Sequence, residues 1–209
     1  MDMEGVFGFL LVYLFKIEFM KTQQAERIAN EIIELYKRHG GAEYAGESVT
    51  QLEHMFQAAK LAEQDGYDED IILAAFLHDI GHICVAENKE NGMAGFGIMD
   101  HEEVGADYLE EKGFSKKVIR LVESHVEAKR YLTFKDPEYY DHLSVASKKT
   151  LEYQGGIMDA DEANAFEQYP LFELIIKMRR WDEEAKVENL PVDDLEKYRG
   201  MIFRHLQKQ

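Results

Sequence analysis

The chain has 209 residues, which suits one domain with a sizeable core. Its 41 acidic residues outnumber its 24 lysines and arginines, giving a formal net charge of −17, and this balance argues against general nucleic-acid binding. The single cysteine, Cys84, excludes a disulfide framework and a thiolate-type zinc site, so a reducing, cytoplasmic location is the simplest interpretation.

An apolar run from Val6 to Phe15 opens the chain. It is shorter than the roughly 20 residues of a membrane-spanning helix, and it lacks the basic start and small-residue cleavage site of a signal peptide. Three interpretations remain: an element packed on the domain, a membrane-touching anchor, or upstream sequence read through from an early start codon. We favour the third, with a helical pattern beginning at Met20. Residues 1–19 are then an apolar extension, residues 20–209 form a single domain, and no membrane partner is expected.

The rest of the chain has a helical pattern almost throughout. Apolar residues recur at helical spacing from Ala25 to Tyr36, and the stretch from Ile71 to Ile83 predicts a central buried helix. Start signals predict further helices at Thr50 (to about Gln64), Asp68, Asp100 (to Glu111), Ser115 (to about Lys129), Asp159, and Pro170 (to about Lys186). A last amphipathic helix contains Leu195 and Leu206. The fold class is therefore all-α.

Several histidines and aspartates fall on the inward-facing stripes of these helices: His54, His78, Asp79, His101, His125 and Asp182. One histidine on an apolar face is usually a hydrogen-bonded core residue, and one buried aspartate is commonly an ion-pair partner. Six such residues on five helices favour a shared metal site instead. Nitrogen and oxygen donors suit Fe, Mn or Zn, and six ligands fit two ions better than one. Asp79, central in the pattern, is the natural bridge, whereas His39, His142 and His205 are expected at the surface.

The order His54 … His78-Asp79 … Asp182 resembles the HD-domain superfamily of metal-dependent phosphohydrolases. His101 and His125 resemble additions found in its dinuclear branch. The resemblance sharpens to PhnZ-type phosphonate oxygenases over roughly residues 20–190. It is carried by the segments Tyr44 to His54, HDIGH at 78–82, Ser147 to Met158, and Arg179-Arg-Trp-Asp182.

This resemblance implies an HD-domain helical bundle with a dinuclear metal site in its core. The cofactor would be a mixed-valent Fe(II)/Fe(III) pair, with O2 as co-substrate. By the same resemblance, His54, His78 and Asp182 match the ligands of one iron, His101 and His125 those of the other, and Asp79 the bridge. Tyr44 and Glu47 match a gate. The groups that match a phosphonate pocket are His82, Lys129, Ser147 and Arg179.

Helical spacing independently places three of the pocket residues one turn from a candidate ligand: Lys129 from His125, Arg179 from Asp182, and His82 from His78. Simpler interpretations exist for single residues. Lys129 alone could be a solvated helix end, Arg179 one half of a surface basic pair, and Ser147 a local cap.

The hypothesis is an oxidoreductase of phosphonate catabolism that cleaves a carbon–phosphorus bond. Its substrate would be a 1-hydroxyalkylphosphonate, such as 2-amino-1-hydroxyethylphosphonate or an N-methylated relative, with Glu47 facing the cationic nitrogen. The products would be a carboxylate and inorganic phosphate. The alternatives are an HD-family phosphohydrolase acting on a nucleotide or phosphomonoester with Mn or Mg, a diiron oxygenase acting on a polyol, and a catalytically silent binding module.

Overall fold

Helices form nearly all the regular structure of the chain. The computed structural model describes residues 3–44, 46–86, 90–192 and 194–209, with side chains from residue 13 onward. Its helices are Met3–His39 (α1), Gln51–Gln64 (α2), Glu69–Leu77 (α3), Gly81–Cys84 (α4), His101–Glu111 (α5), Lys116–Glu123 (α6), His125–Lys135 (α7), Pro137–His142 (α8), Val145–Tyr153 (α9), Ala160–Phe166 (α10), Phe172–Glu184 (α11) and Leu195–Gln207 (α12). Within these ranges the only β-structure is two isolated bridges, Glu43–Thr50 and Gly92–Ile98. The predicted all-α class is confirmed.

Helix α1 continues without a break through Met20, where the sequence suggested a helical entry. Its second half buries an apolar stripe that includes Ile32 and Tyr36 and packs on α12. Its first half exposes large apolar side chains from Tyr13 to Met20. Residues 1–2 and the side chains of residues 3–12, which carry most of the apolar run, lie outside the described structure. None of the described helices has the length and apolar character that crossing a membrane requires.

The centre of the bundle is α3, in which every residue from Ile71 to Leu77 is buried. It packs between α2, α6 and α12, as expected for a helix that is apolar on all sides. The predicted continuous helix to Ile83 is wrong, because α3 ends at Leu77 and a turn precedes α4. Gly81 begins α4 directly against α5, where a Cβ atom would overlap the backbone carbonyl of His101. The turn therefore carries His78 and Asp79 side by side, next to the first residue of α5.

The helix starts were predicted better than the helix ends. Thr50 and Asp159 form complete capping boxes, and the side chains of Asp68 and Ser115 cap their helices as predicted. Asp100 precedes α5 but does not cap it, because its backbone is left-handed, with φ 55°, and its side chain accepts no capping hydrogen bond.

Two predicted helices have different bounds in the structure. The helix predicted from Ser115 to Lys129 breaks at Ser124, and α7 then continues to Lys135. Pro170 lies before α11 rather than in its first turn, because α11 begins at Phe172 and ends at Glu184. The short helices α8 and α9 were not predicted.

His205 is not a surface residue. It is 1% exposed, its Nδ1 lies 2.8 Å from a carboxylate oxygen of Asp70, and its Nε2 accepts the backbone N–H of Ser115 at 3.1 Å. It thus joins α12 to the starts of α3 and α6. His39 and His142 are exposed, as expected.

Candidate metal centre

One half of the candidate centre is formed by His54 of α2, His78 after α3, and Asp182 of α11. The Nε2 atoms of His54 and His78 are 3.1 Å apart. Asp182 Oδ1 lies 3.3 Å from Nε2 of His54 and 3.9 Å from that of His78. All three side chains are buried, and their donor atoms lie close enough together to hold one ion.

The other half is formed by His101, which begins α5, and His125, which begins α7. Their Nε2 atoms are also 3.1 Å apart, and each lies 3.2 Å from Oδ1 of Asp79. The break at Ser124 places His125 in the first turn of a new helix.

Asp79 divides its two oxygens between the halves. Its Oδ1 faces His101 and His125, whereas its Oδ2 lies 3.3 Å from His78 Nε2 and 3.5 Å from His54 Nε2. Oδ2 of Asp79 and Oδ1 of Asp182 are both buried without a hydrogen-bond partner. Leaving a buried carboxylate oxygen unpaired is costly, so these two atoms fit cation ligands.

The other ring nitrogen fixes the tautomer of each of these four histidines. In every case Nδ1 donates to a backbone carbonyl at 2.6–3.2 Å; the carbonyls belong to Ala185 for His54, Ala75 for His78, Ile98 for His101 and Val122 for His125. A carbonyl can only accept, so Nδ1 carries a proton, and in the neutral ring, the form that binds a metal, Nε2 presents its lone pair to the centre. Such outer bonds are typical of histidines that bind metals.

His82 has the opposite tautomer. Its Nδ1 accepts the backbone N–H of Ile98 at 3.0 Å, so its neutral ring carries the proton on Nε2. Desolvation and the neighbouring His101 lower the pKa of His82 well below its usual range, which keeps the ring neutral. Asp79, His82 and His101 lie close enough to form a metal-binding triad, but Nε2 of His82 is a donor and lacks the lone pair of a ligand.

The loop before α5 holds His82 in that orientation. The His82 ring stacks on His101 with centroids 4.0 Å apart and also lies close to Gly97. Gly97 has φ +96°, and a Cβ there would come within 2.6 Å of the ring. Only glycine therefore fits this position.

The carboxylates and histidines of the centre perturb each other strongly. Burial raises the pKa of Asp79, but the nearby His78, His101 and His125 outweigh it and hold the pKa well below its usual range. Burial alone would lower the pKa of His54, yet hydrogen bonds to Asp182 and Asp79 raise it to about 9. Both pKa shifts show that positive charge next to the two buried carboxylates is favourable. Metal ions bound between them would supply that charge.

Two cations lie beside this centre. Lys129 is 3% exposed, and its Nζ donates to Thr150 Oγ1 at 2.9 Å. In the part of the chain that the structure describes, no carboxylate forms an ion pair with it. Burial and then the nearby Arg179 lower the pKa of Lys129 to about 7. A buried ammonium without a counter-ion is a site for an anion.

Arg179 is 4% exposed and is held from three sides. Its Nη1 donates to Asp182 at 2.5 Å, its Nε donates to Tyr139 Oη at 2.9 Å, and its Nη2 pairs with Glu183. A guanidinium has five N–H groups, so two remain for a ligand. Arg179 and Lys129 line the same cavity, together with His82 and Ser147.

The segment before α2 covers the centre. The Tyr44 ring stacks on His54 with centroids 3.8 Å apart, and burial together with Asp79 and Asp182 raises the pKa of Tyr44 well above its usual range. Glu47 accepts the Ser144 hydroxyl at 2.5 Å. The cavity behind this segment has a volume of about 30 Å³, which holds water but no phosphonate. Met93 and Phe96 of the loop before α5 line the same cavity. Ala45, which belongs to the motif, lies outside the described residues.

Comparison with known proteins agrees with this geometry. The family model described as "HD domain" matches residues 51–164. This stretch contains His54, His78-Asp79, His101 and His125.

The chain belongs to the HD-domain family. Its relatives include a protein of Acanthamoeba polyphaga mimivirus named only as uncharacterized, which is 46% identical over 186 residues, covering 89% of this chain and 85% of the relative. A protein of Leisingera caerulea, named [1-hydroxy-2-(trimethylamino)ethyl]phosphonate dioxygenase (glycine-betaine-forming), is 42% identical over 177 residues, 83% of this chain and 88% of the relative. A protein of Gimesia maris, named hydroxymethylphosphonate dioxygenase, is 43% identical over 173 residues, which cover 83% of this chain and 85% of the relative. The expected resemblance to PhnZ-type phosphonate oxygenases is confirmed.

The structure brings all the predicted site residues to one place, and it adds several that the sequence did not reveal. Thr150, Tyr139, Glu183 and Lys186 each bond to a predicted pocket or gate residue. Glu183 follows Arg179 by four positions, and Lys186 follows Asp182 by four. The same helical spacing that placed Lys129 and His82 beside candidate ligands could therefore have predicted both. Tyr139 gave no comparable signal, because it lies on the unpredicted helix α8.

Proposed function

We propose that this protein is a dinuclear iron oxygenase that uses O2 to cleave the carbon–phosphorus bond of a 1-hydroxyalkylphosphonate. The reaction R–CH(OH)–PO3²⁻ + O2 → R–COO⁻ + HPO4²⁻ + H⁺ balances, and both oxygen atoms of O2 enter the products. The names of the two dioxygenase relatives support this reaction class. The single observation that carries it to this chain is the buried ammonium of Lys129, which pairs with no carboxylate among the described residues, beside the six candidate ligands.

The residues present fit two iron ions. We propose that His54, His78 and Asp182 hold one ion, that His101 and His125 hold the other, and that Asp79 bridges both. The two orphaned carboxylate oxygens and the four converging Nε2 atoms support this assignment. When bound, the iron pair supplies the redox chemistry with O2 that oxidises the substrate carbon.

The surrounding side chains bind and orient the phosphonate. Lys129 contributes a positive charge, Arg179 contributes its two remaining N–H groups, and His82 donates its Nε2–H to a phosphonate oxygen. Ser147 lies 9% exposed in the same cavity and contributes its hydroxyl. Charge-assisted bonds of this kind fix a tetrahedral dianion firmly within a chain of net charge −17.

Tyr44 and Glu47 form the gate. Tyr44 covers the centre in this structure and leaves when substrate enters, while Glu47 remains at the edge of the cavity. Closing the gate over the bound phosphonate excludes water from the oxidised carbon.

The test is phosphate release by iron-loaded protein, with and without O2, from hydroxymethylphosphonate and from 1-hydroxy-2-(trimethylamino)ethylphosphonate. We expect phosphate only with O2, at one phosphate per O2 consumed. O2-independent phosphate release from a phosphomonoester or nucleotide would establish the phosphohydrolase alternative, and O2 uptake with a polyol but no phosphonate would establish the polyol oxygenase.

A further inference from the structure

Lys186 is a charged residue near the candidate site with no role in the function proposed above. It follows the end of α11, and its side chain is 15% exposed. Its ammonium lies 3.2 Å from Ser147 Oγ, 3.2 Å from Glu183 Oε2 and 3.5 Å from Glu47 Oε1. These three acceptors match the three N–H groups of an ammonium.

The position of Lys186 connects the gate to the phosphonate pocket. Glu47 and Ser147 line the cavity, whereas Lys186 is not among the lining residues and lies behind both. On its third side it contacts Glu183, whose other oxygen pairs with Arg179. Lys186 therefore acts on a substrate only through its neighbours.

Lys186 is shared between Glu183 and Glu47, so it compensates part of the charge of Glu47. Glu47 Oε1 accepts the Ser144 hydroxyl and faces the ammonium of Lys186. A substrate nitrogen that carried a positive charge and approached Glu47 would meet a carboxylate with a cation beside it. In a partly buried site, the substrate nitrogen and the ammonium of Lys186, both next to Glu47, would repel each other appreciably.

We propose that Lys186 is a positioning residue that sets substrate selectivity, so that this protein favours 1-hydroxyalkylphosphonates without a cationic nitrogen. The proposal rests on the proposed function and refines its substrate class. An uncharged or absent substituent on C1 leaves the Glu47–Lys186 pair intact when the gate closes. A quaternary ammonium has to compete with Lys186 for Glu47.

The test compares kcat/KM for hydroxymethylphosphonate with kcat/KM for 1-hydroxy-2-(trimethylamino)ethylphosphonate. We expect the wild-type protein to favour the first by at least tenfold. Lys186→Met should lower this ratio at least tenfold, chiefly through a lower KM for the cationic substrate, because Glu47 is then uncompensated. Lys186→Arg keeps the charge and should keep the ratio.

Lys149→Met is the matched control, since Lys149 is an exposed lysine of α9 that pairs only with Glu152 among the described residues. It should leave the ratio unchanged. If Lys186→Met fails to fold, Glu47→Gln decides, because it leaves Lys186 facing no gate carboxylate and should raise the ratio.

Three results would overturn the proposal while the proposed function stands: a wild-type preference for the cationic substrate, the wild-type ratio in Lys186→Met, or the wild-type ratio in Glu47→Gln. Phosphate release from neither phosphonate would overturn the proposed function, and this proposal with it.

Discussion

Replacing Lys129 by methionine should impair the enzyme and stabilise the fold. The substitution keeps an unbranched chain about as long as the lysine stem and removes the buried ammonium. A charge-assisted bond to the phosphonate is worth about 1.5–3 kcal/mol, so kcat/KM should fall roughly 10- to 160-fold. Metal content should not change, because Lys129 donates to Thr150 and, among the described residues, to none of the candidate ligands.

The stability effect follows from the pKa of Lys129, which burial lowers from 10.5 to about 7. Between these values the unfolded chain binds the proton and the folded protein releases it. The free energy of unfolding of the wild type therefore rises with pH through this window, and the full penalty applies below pH 7. The difference corresponds to about 5 kcal/mol as an upper bound, against about 1 kcal/mol for the lost bond to Thr150.

The assays are phosphate release, iron analysis, and urea unfolding at pH 7 and pH 9, with Lys149→Met as the surface control. The stability advantage of Lys129→Met over wild type should be larger at pH 7 than at pH 9. A kcat/KM within twofold of wild type, or a variant less stable than wild type at pH 7, would refute the assignment of Lys129 as a destabilising residue kept for anion binding.

Three further predictions concern the metals and the gate. Asp79→Ala should lose both metal ions, whereas His125→Ala should mainly weaken one; equal metal content in the two variants would contradict the bridge. Tyr44→Phe should keep both irons but abolish any phenolate-to-Fe(III) absorption band that substrate bleaches in the oxidised wild type, and identical spectra would remove Tyr44 from the gate. Removing the metals by chelation should lower Tm. A free metal concentration of about 100 times Kd adds about 2.7 kcal/mol to the free energy of unfolding for each bound ion, which corresponds to roughly 5–10 °C. A Tm unaffected by chelation would mean that the centre contributes nothing to folding.

The sequence by itself determined the helical class, most helix starts and the six candidate ligands. Helix starts are local, because a side chain such as Thr50 caps N–H groups only three residues away, as its capping box shows. The candidate ligands could be predicted because histidines and aspartates on the apolar stripe of a helix are costly to bury without a partner. The break at Ser124 and the turn at His78–Asp79 were missed, since contacts between helices decide where such a helix is interrupted.

Only the tertiary structure decided how the site residues are used. The Asp79 oxygens face separate histidine pairs, and the His82 tautomer depends on the backbone of Ile98, sixteen residues further along the chain. The pairing of Lys186 with Glu47 joins segments that are distant in sequence. Spacing along a helix predicts which side chains share a face, but hydrogen-bond direction and charge compensation depend on atoms from several elements. These features distinguish a metal ligand from a proton donor and an available carboxylate from one already paired.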